Sequence, residues 1–140
     1  KDLIDMDVVA FYEPGIEVLP IVLQSHVGVL MTNPTIEEGC SNSIMEYMAC
    51  GLPVICGNSG GNRELVIDGE TGYIIPSGDV QALVDKLQYF IDHPEQVAVM
   101  GRQGRNRILQ EFSIERMVEG FIRVYKECLG LCKYPVQLAS

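Results

Sequence analysis

The sequence predicts an α/β fold, with a Rossmann-like parallel sheet flanked by helices. Short apolar segments of strand length alternate with longer segments whose apolar residues recur at helical spacing. Four strands are expected, near residues 7–11, 27–32, 53–57 and 72–75. Because helical segments separate them, right-handed crossovers should make these strands parallel. The 140 residues make one domain at most, and a content of 47% hydrophobic residues supplies a core.

Two helices are expected in the first half of the chain. Ile16–Ser25 carries apolar residues at helical spacing, and Pro20 is tolerated only because it falls in the first turn. A second helix should begin near Ser43, because Ser43 followed three residues later by Glu46 fits a capping box. Gly51 should end this helix by taking a left-handed conformation.

Three longer helices are expected in the second half. Asp79 should cap a helix that ends at Asp92, Pro94 should begin one that extends to about Gln110, and Ser113 should cap the last. We interpret their apolar stripes as core or packing surface. The basic residues of the middle helix are interpreted as a solvated face: Arg102, Arg105 and Arg107.

The loop after the second strand carries the polar residues on which the functional prediction depends. It leads from a buried strand to a helix N-terminus, which is where α/β sheets bind ligands. Free backbone N–H groups at a helix start favour a phosphate or pyrophosphate. The carboxylates of Glu38 and Glu46 are suited instead to accept hydrogen bonds from the hydroxyls of sugars and riboses. A nucleotide-sugar would satisfy both kinds of group.

The same residues carry a family resemblance. Glu38, seven intervening residues and Glu46, followed by Tyr-Met-Ala-Cys-Gly-Leu-Pro-Val-Ile, resemble the E-x7-E signature of retaining GT-B glycosyltransferases of group 1, or family 4. The resemblance covers nearly the whole chain, from about Val8 to Leu129. It continues through residues 60–66, 68–73, 76–79 and 112–113.

The resemblance implies a reaction. The parent protein would move a sugar from a UDP- or GDP-linked nucleotide-sugar to a sugar or lipid-linked acceptor, in polysaccharide or glycoconjugate synthesis. It would need no metal and no cofactor besides the donor substrate. A cytoplasmic location is expected, with the full-length protein at the inner face of the membrane.

The resemblance also assigns roles to the loop residues. Glu38 would be the catalytic residue, contacting the donor sugar near the reacting carbon and stabilising an oxocarbenium-like transition state. Glu46 would bind the ribose hydroxyls, although the residues alone favour a capping glutamate bonded to the backbone of Ser43. The other donor-binding residues are expected to be Gly39, Cys40, Ser41, Asn42, Ser43, Gly60, Gly61 and Glu64.

Two of these assignments have alternatives that the sequence leaves open. The glycine pair Gly60 and Gly61 lets the backbone approach a ligand closely, but a strand-to-helix turn explains it equally well. Cys40 near a helix N-terminus suggests an activated thiol. No histidine or other base accompanies Cys40 in the sequence, so a cysteine nucleophile is disfavoured.

Only the second part of a GT-B C-terminal domain is covered by the resemblance. Residues 1–132 would form this partial nucleotide-sugar-binding domain, and residues 133–140 a tail. The first residue is not Met, which indicates a piece of a longer protein. The missing N-terminal part would hold the acceptor domain and the basic Arg/Lys pair for the diphosphate. We therefore expect the fragment alone to be inactive, with exposed apolar surface that favours self-association.

Composition excludes several other kinds of function. The net charge of −9 argues against nucleic acid or an anionic membrane surface as partner. No apolar run approaches the roughly 20 residues that span a bilayer. The five cysteines, an odd number, are interpreted as buried free thiols in a reducing compartment, because three of them fall in or beside predicted core elements. With His26 and His93 as the only histidines, no zinc site is expected.

A rival hypothesis comes from another functional class. The chain would then be a non-catalytic Rossmann-like nucleotide-binding or interaction module, in which Glu46 only caps a helix and Glu38 is only solvated. Nucleotide-sugar epimerases have a similar fold and ligand, but they lack the E-x7-E pattern followed by Gly-Leu-Pro-Val-Ile.

Overall fold

The computed structural model of the chain describes residues 9–13, 16–32 and 39–130. Helices and strands alternate along most of this part of the chain. In order they are α1 (Leu19–Leu23), β1 (Gly28–Leu30), α2 (Asn42–Ala49), β2 (Val54–Gly57), α3 (Asn62–Leu65), β3 (Gly72–Ile75), α4 (Val80–Asp92), α5 (Pro94–Glu111) and α6 (Ile114–Cys128).

The described strands form one parallel sheet in the order β1-β2-β3. Gly28 is level with Val54, and Val54 is level with Gly72 on the other side. All four residues of β2 are buried, because this strand has a neighbour on each edge and helices on both faces. The predicted α/β class with a parallel, Rossmann-like sheet is confirmed.

Side-chain alternation along β2 divides the core into two clusters. Val54 and Cys56 point to one face, where they pack with residues of α2, α3 and the second half of α5. Ile55 points to the other face and packs with Ile75, α4 and the first half of α5. Helix α5 therefore contributes to both clusters: Met100 lies in the second and Ile108 in the first.

Helix α2 ends as the sequence predicts but begins differently. Gly51 has φ +80°, and a Schellman pair of bonds joins the Leu52 and Gly51 N–H groups to the carbonyls of Tyr47 and Met48, at 3.0 and 2.9 Å. The predicted capping box is wrong. The N-cap is Ser41, whose carbonyl accepts the first helical bond from Met45 N–H, so Ser43 lies inside the helix.

The start of the described chain departs from the prediction. The helix expected over Ile16–Ser25 spans only Leu19–Leu23, with Pro20 in its first turn as expected. Residues 9–11 of the expected first strand do not form a strand, because no described segment pairs with them. Residues 7 and 8 of that strand and the expected tail, residues 133–140, lie outside the described residues.

The three long helices follow their predicted capping signals. An Asp79 carboxylate oxygen accepts from Ala82 N–H at 2.9 Å, and the Ser113 hydroxyl accepts from Arg116 N–H at 3.3 Å. Pro94 occupies the first turn of α5. These local signals placed α4, α5 and α6 to within about one residue.

Helix α6 has no buried residue, so its apolar stripe is not part of the core formed by the described residues. The expected exposure of apolar surface is confirmed there. The most exposed side chains of the stripe include Ile114, Tyr125 and Phe121. Self-association through this surface stays a prediction.

Helix α5 approaches the turn after α2 so closely that no side chain fits between the two backbones. A Cβ atom at Gly101 would overlap the carbonyl oxygen of Gly51. Beside this contact, the Arg105 guanidinium donates a hydrogen bond to the carbonyl of Ala49 in the last turn of α2. Arg105 lies on an exposed face of α5, as predicted, and it also satisfies a carbonyl at the end of α2.

Two glycines in the interior of helices provide a matched test of this packing. Gly101→Ala should lower the free energy of unfolding by about 2 kcal/mol, because the backbone of the α2 turn must move away. Gly120→Ala should raise it by about 0.5–1 kcal/mol, because a Cβ at this position of α6 meets open space. Urea unfolding followed by circular dichroism measures both. Equal stabilisation by the two substitutions would show that α5 does not approach Gly51 as described.

Candidate functional site

The carboxyl ends of β1 and β2 are joined by their side chains. Thr32, two residues after β1, and Ser59, two residues after β2, share a hydrogen bond between their hydroxyls of 2.7 Å. Neighbouring parallel strands end at the same edge of the sheet, so both following loops lie at the place where α/β folds bind ligands. The structure thus brings the two predicted donor-binding loops together.

The two loops also touch through their backbones. A Cβ atom at Gly61 would lie 2.9 Å from the backbone nitrogen of Cys40 and 2.9 Å from the carbonyl carbon of Gly39. Gly60 has φ +53°, a left-handed conformation that favours glycine in the turn. Each glycine therefore has a structural reason for its presence, and a ligand-facing role for the pair stays a prediction.

Glu64 lies on α3 and projects to the surface beside the Cys40 loop. Its Oε2 is 3.8 Å from the Sγ of Cys40. The pKa of the Cys40 thiol is raised above its usual value. Partial burial is the larger cause, and the negative charge of the Glu64 carboxylate is the second. A raised pKa keeps this thiol protonated at neutral pH, which is opposite to what a cysteine nucleophile needs.

The start of α2 places backbone donors at the same edge of the sheet. The first helical hydrogen bond is made by Met45 N–H, and Ser41 offers no side-chain cap. The N–H groups of Asn42, Ser43 and Ile44 precede that bond and have no partner within the helix. Such a group of donors is suited to an anion, and the predicted pyrophosphate residues lie here.

Glu46 lies on the side of α2 that faces α1, away from Glu64 on α3. Its exposed side chain lines a cavity of about 400 Å³ between α1 and α2. The other lining residues are Val18, Leu19, Val22 and Cys50. The other glutamate of the sequence motif, Glu38, lies outside the described residues, so its catalytic role stays a prediction.

Sequence reasoning missed Asn62, the first residue of α3. Its side chain is fully buried, and Nδ2 donates to the carbonyl of Gly57 at 2.9 Å, which ties α3 to the end of β2. Its Oδ1 has no partner among the described residues. An asparagine directly after two glycines was visible in the sequence, but its partner on the preceding strand was not.

Arg107 is the second residue that sequence reasoning misjudged. Its guanidinium donates to the backbone carbonyls of Leu65 and Glu64, at 3.0 and 2.8 Å, and forms an ion pair of 2.8 Å with Glu111. The interpretation of Arg107 as part of a solvated face is therefore wrong. The spacing to Glu111 was readable as a helical pair, but the contact with α3, 43 residues away, was not.

The cysteines differ in their surroundings. Cys56 is buried in β2, and burial raises its pKa to about 11. Cys50, at the end of α2, is partly buried, whereas Cys40 and Cys128 are exposed. The described cysteines are all free thiols, and Cys132 lies outside the described residues.

A larger cavity, of about 480 Å³, lies away from this site. Its lining is almost entirely apolar and includes Val27, at the amino end of β1, and Phe90 of α4. Because it lies at the opposite end of β1 from the two loops and offers few polar groups, it is not suited to a nucleotide-sugar.

The described ranges contain no cluster of three His, Cys, Asp or Glu side chains that could hold a metal ion. None of the helices found there is long and apolar enough to cross a membrane.

Comparison with known proteins identifies the family. The sequence profile described as "Glycosyl transferases group 1" matches residues 11–107, well over half of the chain. The chain belongs to this family. The matched region contains both loops of the site, α2, α3 and Arg107.

Individual group 1 glycosyltransferases resemble the chain over a similar region. The capsular polysaccharide biosynthesis glycosyltransferase CapM of Staphylococcus aureus is 32% identical over 110 residues, which are 79% of this chain and 29% of CapM. A GDP-mannose-dependent monoacylated α-(1-6)-phosphatidylinositol monomannoside mannosyltransferase of Corynebacterium glutamicum is 40% identical over 82 residues, 59% of this chain and 21% of that protein. The chain spans between a fifth and a third of the length of the curated relatives it matches.

Among solved structures, HepE of Anabaena in complex with UDP-glucose has a TM-score of 0.73 to this chain at 21% identity. The match covers 80% of this chain and 30% of HepE. It shows that the chain has the fold of part of a GT-B glycosyltransferase.

The contact between Glu64 and Cys40 predicts the reactivity of the thiol. Glu64→Gln removes the negative charge that raises the Cys40 pKa, so Cys40 should react faster with iodoacetamide at mildly alkaline pH. Mass spectrometry of the Cys40 peptide measures the rate. Glu95→Gln, an exposed carboxylate in the first turn of α5, should leave it unchanged. An unchanged rate in Glu64→Gln would show that the two side chains are not adjacent.

Proposed function

We propose that this chain is part of a retaining, family 4 glycosyltransferase. The whole protein transfers a sugar from a UDP- or GDP-linked donor to a sugar or lipid-linked acceptor, in polysaccharide or glycoconjugate synthesis. The observation that carries the proposal is the meeting of the two loops after β1 and β2, the open start of α2 and Glu64 at one edge of the sheet. These are groups that a nucleotide-sugar requires, in a chain of the group 1 family.

The parts of the donor are matched by different groups of the site. The first N–H groups of α2, which have no partner within the helix, receive the pyrophosphate, with Asn42 and Ser43 at that end. Glu46, exposed beside an open cavity, accepts hydrogen bonds from the ribose hydroxyls. Glu64 and the backbone of Gly39 to Ser41 bind the hydroxyls of the sugar. Relatives that depend on GDP-mannose, and a structural neighbour that binds UDP-glucose, support both nucleotides as candidates.

The catalytic step is assigned to Glu38. As the bond between the sugar and the diphosphate breaks, positive charge develops on the sugar ring, and a nearby carboxylate stabilises that charge. The donor substrate is the only nucleotide that the proposal includes, and no cofactor takes part.

Residues 1–132 are proposed to be part of the donor-binding C-terminal domain, and residues 133–140 a tail. The diphosphate then needs cations from the missing N-terminal part, and the acceptor needs the other domain, so the isolated chain is inactive. Its exposed α6 stripe also favours self-association, which sedimentation over a concentration series tests. We place the full-length protein in the cytoplasm, at the inner face of the membrane.

Kinetics of the full-length protein test the proposal, with UDP-glucose and GDP-mannose among the donors. Glu46→Ala should raise the donor KM about tenfold or more, because hydrogen bonds to a charged acceptor are lost. Glu38→Ala should lower kcat by about a hundredfold or more, because charge stabilisation is lost only in the transition state.

Glu37→Ala is the matched control for Glu38→Ala, since it removes the adjacent carboxylate. It should leave both constants near those of the wild type. If Glu46→Ala and Glu38→Ala also transfer sugar like the wild type, both glutamates are structural. The chain is then better described as a non-catalytic nucleotide-binding or interaction module.

A further inference from the structure

The short helix α3 carries Glu64, and its own hydrogen bonds do little to fix its position. It has four residues, Asn62–Leu65, and no side chain caps its start. A single helical turn is not stable alone, and the carbonyls at its end need partners from elsewhere. The position of the Glu64 carboxylate therefore depends on what fixes this turn.

One end of α3 is fixed from the sheet. The buried Asn62 side chain donates to the Gly57 carbonyl at the end of β2, as described above. Within the turn, Leu65 is fully buried in the core cluster that contains Val54 and Cys56. These contacts hold the amino end and the apolar side of the turn, but they leave its last carbonyls unsatisfied.

The other end of α3 is fixed by Arg107 from α5. Two nitrogens of one guanidinium donate to the adjacent carbonyls of Glu64 and Leu65. The planar fork of arginine makes such a two-point contact, which a lysine ammonium does not reproduce. Glu111 binds the third nitrogen, and the guanidinium carbon lies 5.5 Å from the centre of the Phe112 ring. The arginine is thus itself held from two further directions.

We propose that Arg107 is a positioning residue for the donor site. By binding the carbonyls of Glu64 and Leu65, it fixes the backbone from which the Glu64 carboxylate reaches the donor sugar. Arg107 does not touch the substrate, and its effect passes through Glu64. The inference rests on the proposed function, because it takes the donor sugar as the partner of Glu64.

The first experiment measures the contact itself, without substrate. Arg107→Lys should increase amide hydrogen exchange across residues 62–66, including the Val66 N–H that is bonded to the Asn62 carbonyl at 2.9 Å. Arg105→Lys is the matched control, since it weakens another contact from α5 to a backbone carbonyl, that of Ala49. It should leave exchange at residues 62–66 unchanged. Unchanged exchange in Arg107→Lys would overturn the inference.

The second experiment measures transfer by the full-length protein with UDP-glucose and GDP-mannose. Arg107→Lys should lower kcat/KM about tenfold, because a displaced binding group costs rate even when it is still present. The same substitution should have no further effect in a Glu64→Gln background, because both changes act through one carboxylate. Arg102→Lys, an exposed residue of the same helix, should transfer sugar at the wild-type rate.

The outcomes separate the two proposals. A wild-type protein that transfers no sugar from any donor overturns the proposed function, and the exchange experiment then decides whether Arg107 holds α3. If the wild type transfers sugar and Glu64→Gln impairs transfer, but Arg107→Lys leaves it unchanged, only the positioning role is overturned. Additive losses in the double variant also overturn it, because a residue acting by another route loses activity independently of Glu64.

Discussion

The close packing of α5 against the turn between α2 and β2 is the constraint on which the rest of the structure depends. Gly101 makes this approach sterically feasible, and Arg105 satisfies a carbonyl at the end of α2 beside it. From there α5 reaches both faces of the sheet, with Met100 in one core cluster and Ile108 in the other. One helix therefore holds two elements, α2 and α3, whose contacting residues precede its own by more than forty positions in the sequence.

The site is built where three short segments meet at one edge of the sheet, and none of them is stable alone. Hydroxyls of Thr32 and Ser59 join the strand ends, Gly61 brings two backbones into contact, and Arg107 completes the turn that carries Glu64. Polar groups that are to meet a ligand must be exposed, so they contribute little to the core. Their positions are instead set by neighbours that are buried or bonded to backbone.

Local signals were sufficient to predict much of this fold. The Asp79 carboxylate accepts a hydrogen bond from the N–H of Ala82, only three residues later. The hydrogen bonds that end α2 at Gly51 likewise join residues within a stretch of six. The capping box failed because Ser41, two residues earlier, competes for the same role and starts the helix. The roles of Asn62 and Arg107 were not predictable, because their partners come from other elements. The sequence motif named Glu38 and Glu46, and the wider family resemblance named Glu64, while Glu38 lies outside the described residues.

The choice of an arginine at position 107 has a consequence for the conditions under which the site keeps its shape. The carbonyls of Glu64 and Leu65 are neutral, so the two hydrogen bonds that Arg107 donates to them are not ion pairs, which dissolved salt screens. The position of the backbone around Glu64 should therefore depend less on ionic strength than it would if a salt bridge held it. Any dependence of ligand binding on salt then originates in the exposed charged groups of the site, and not in the scaffold beneath them.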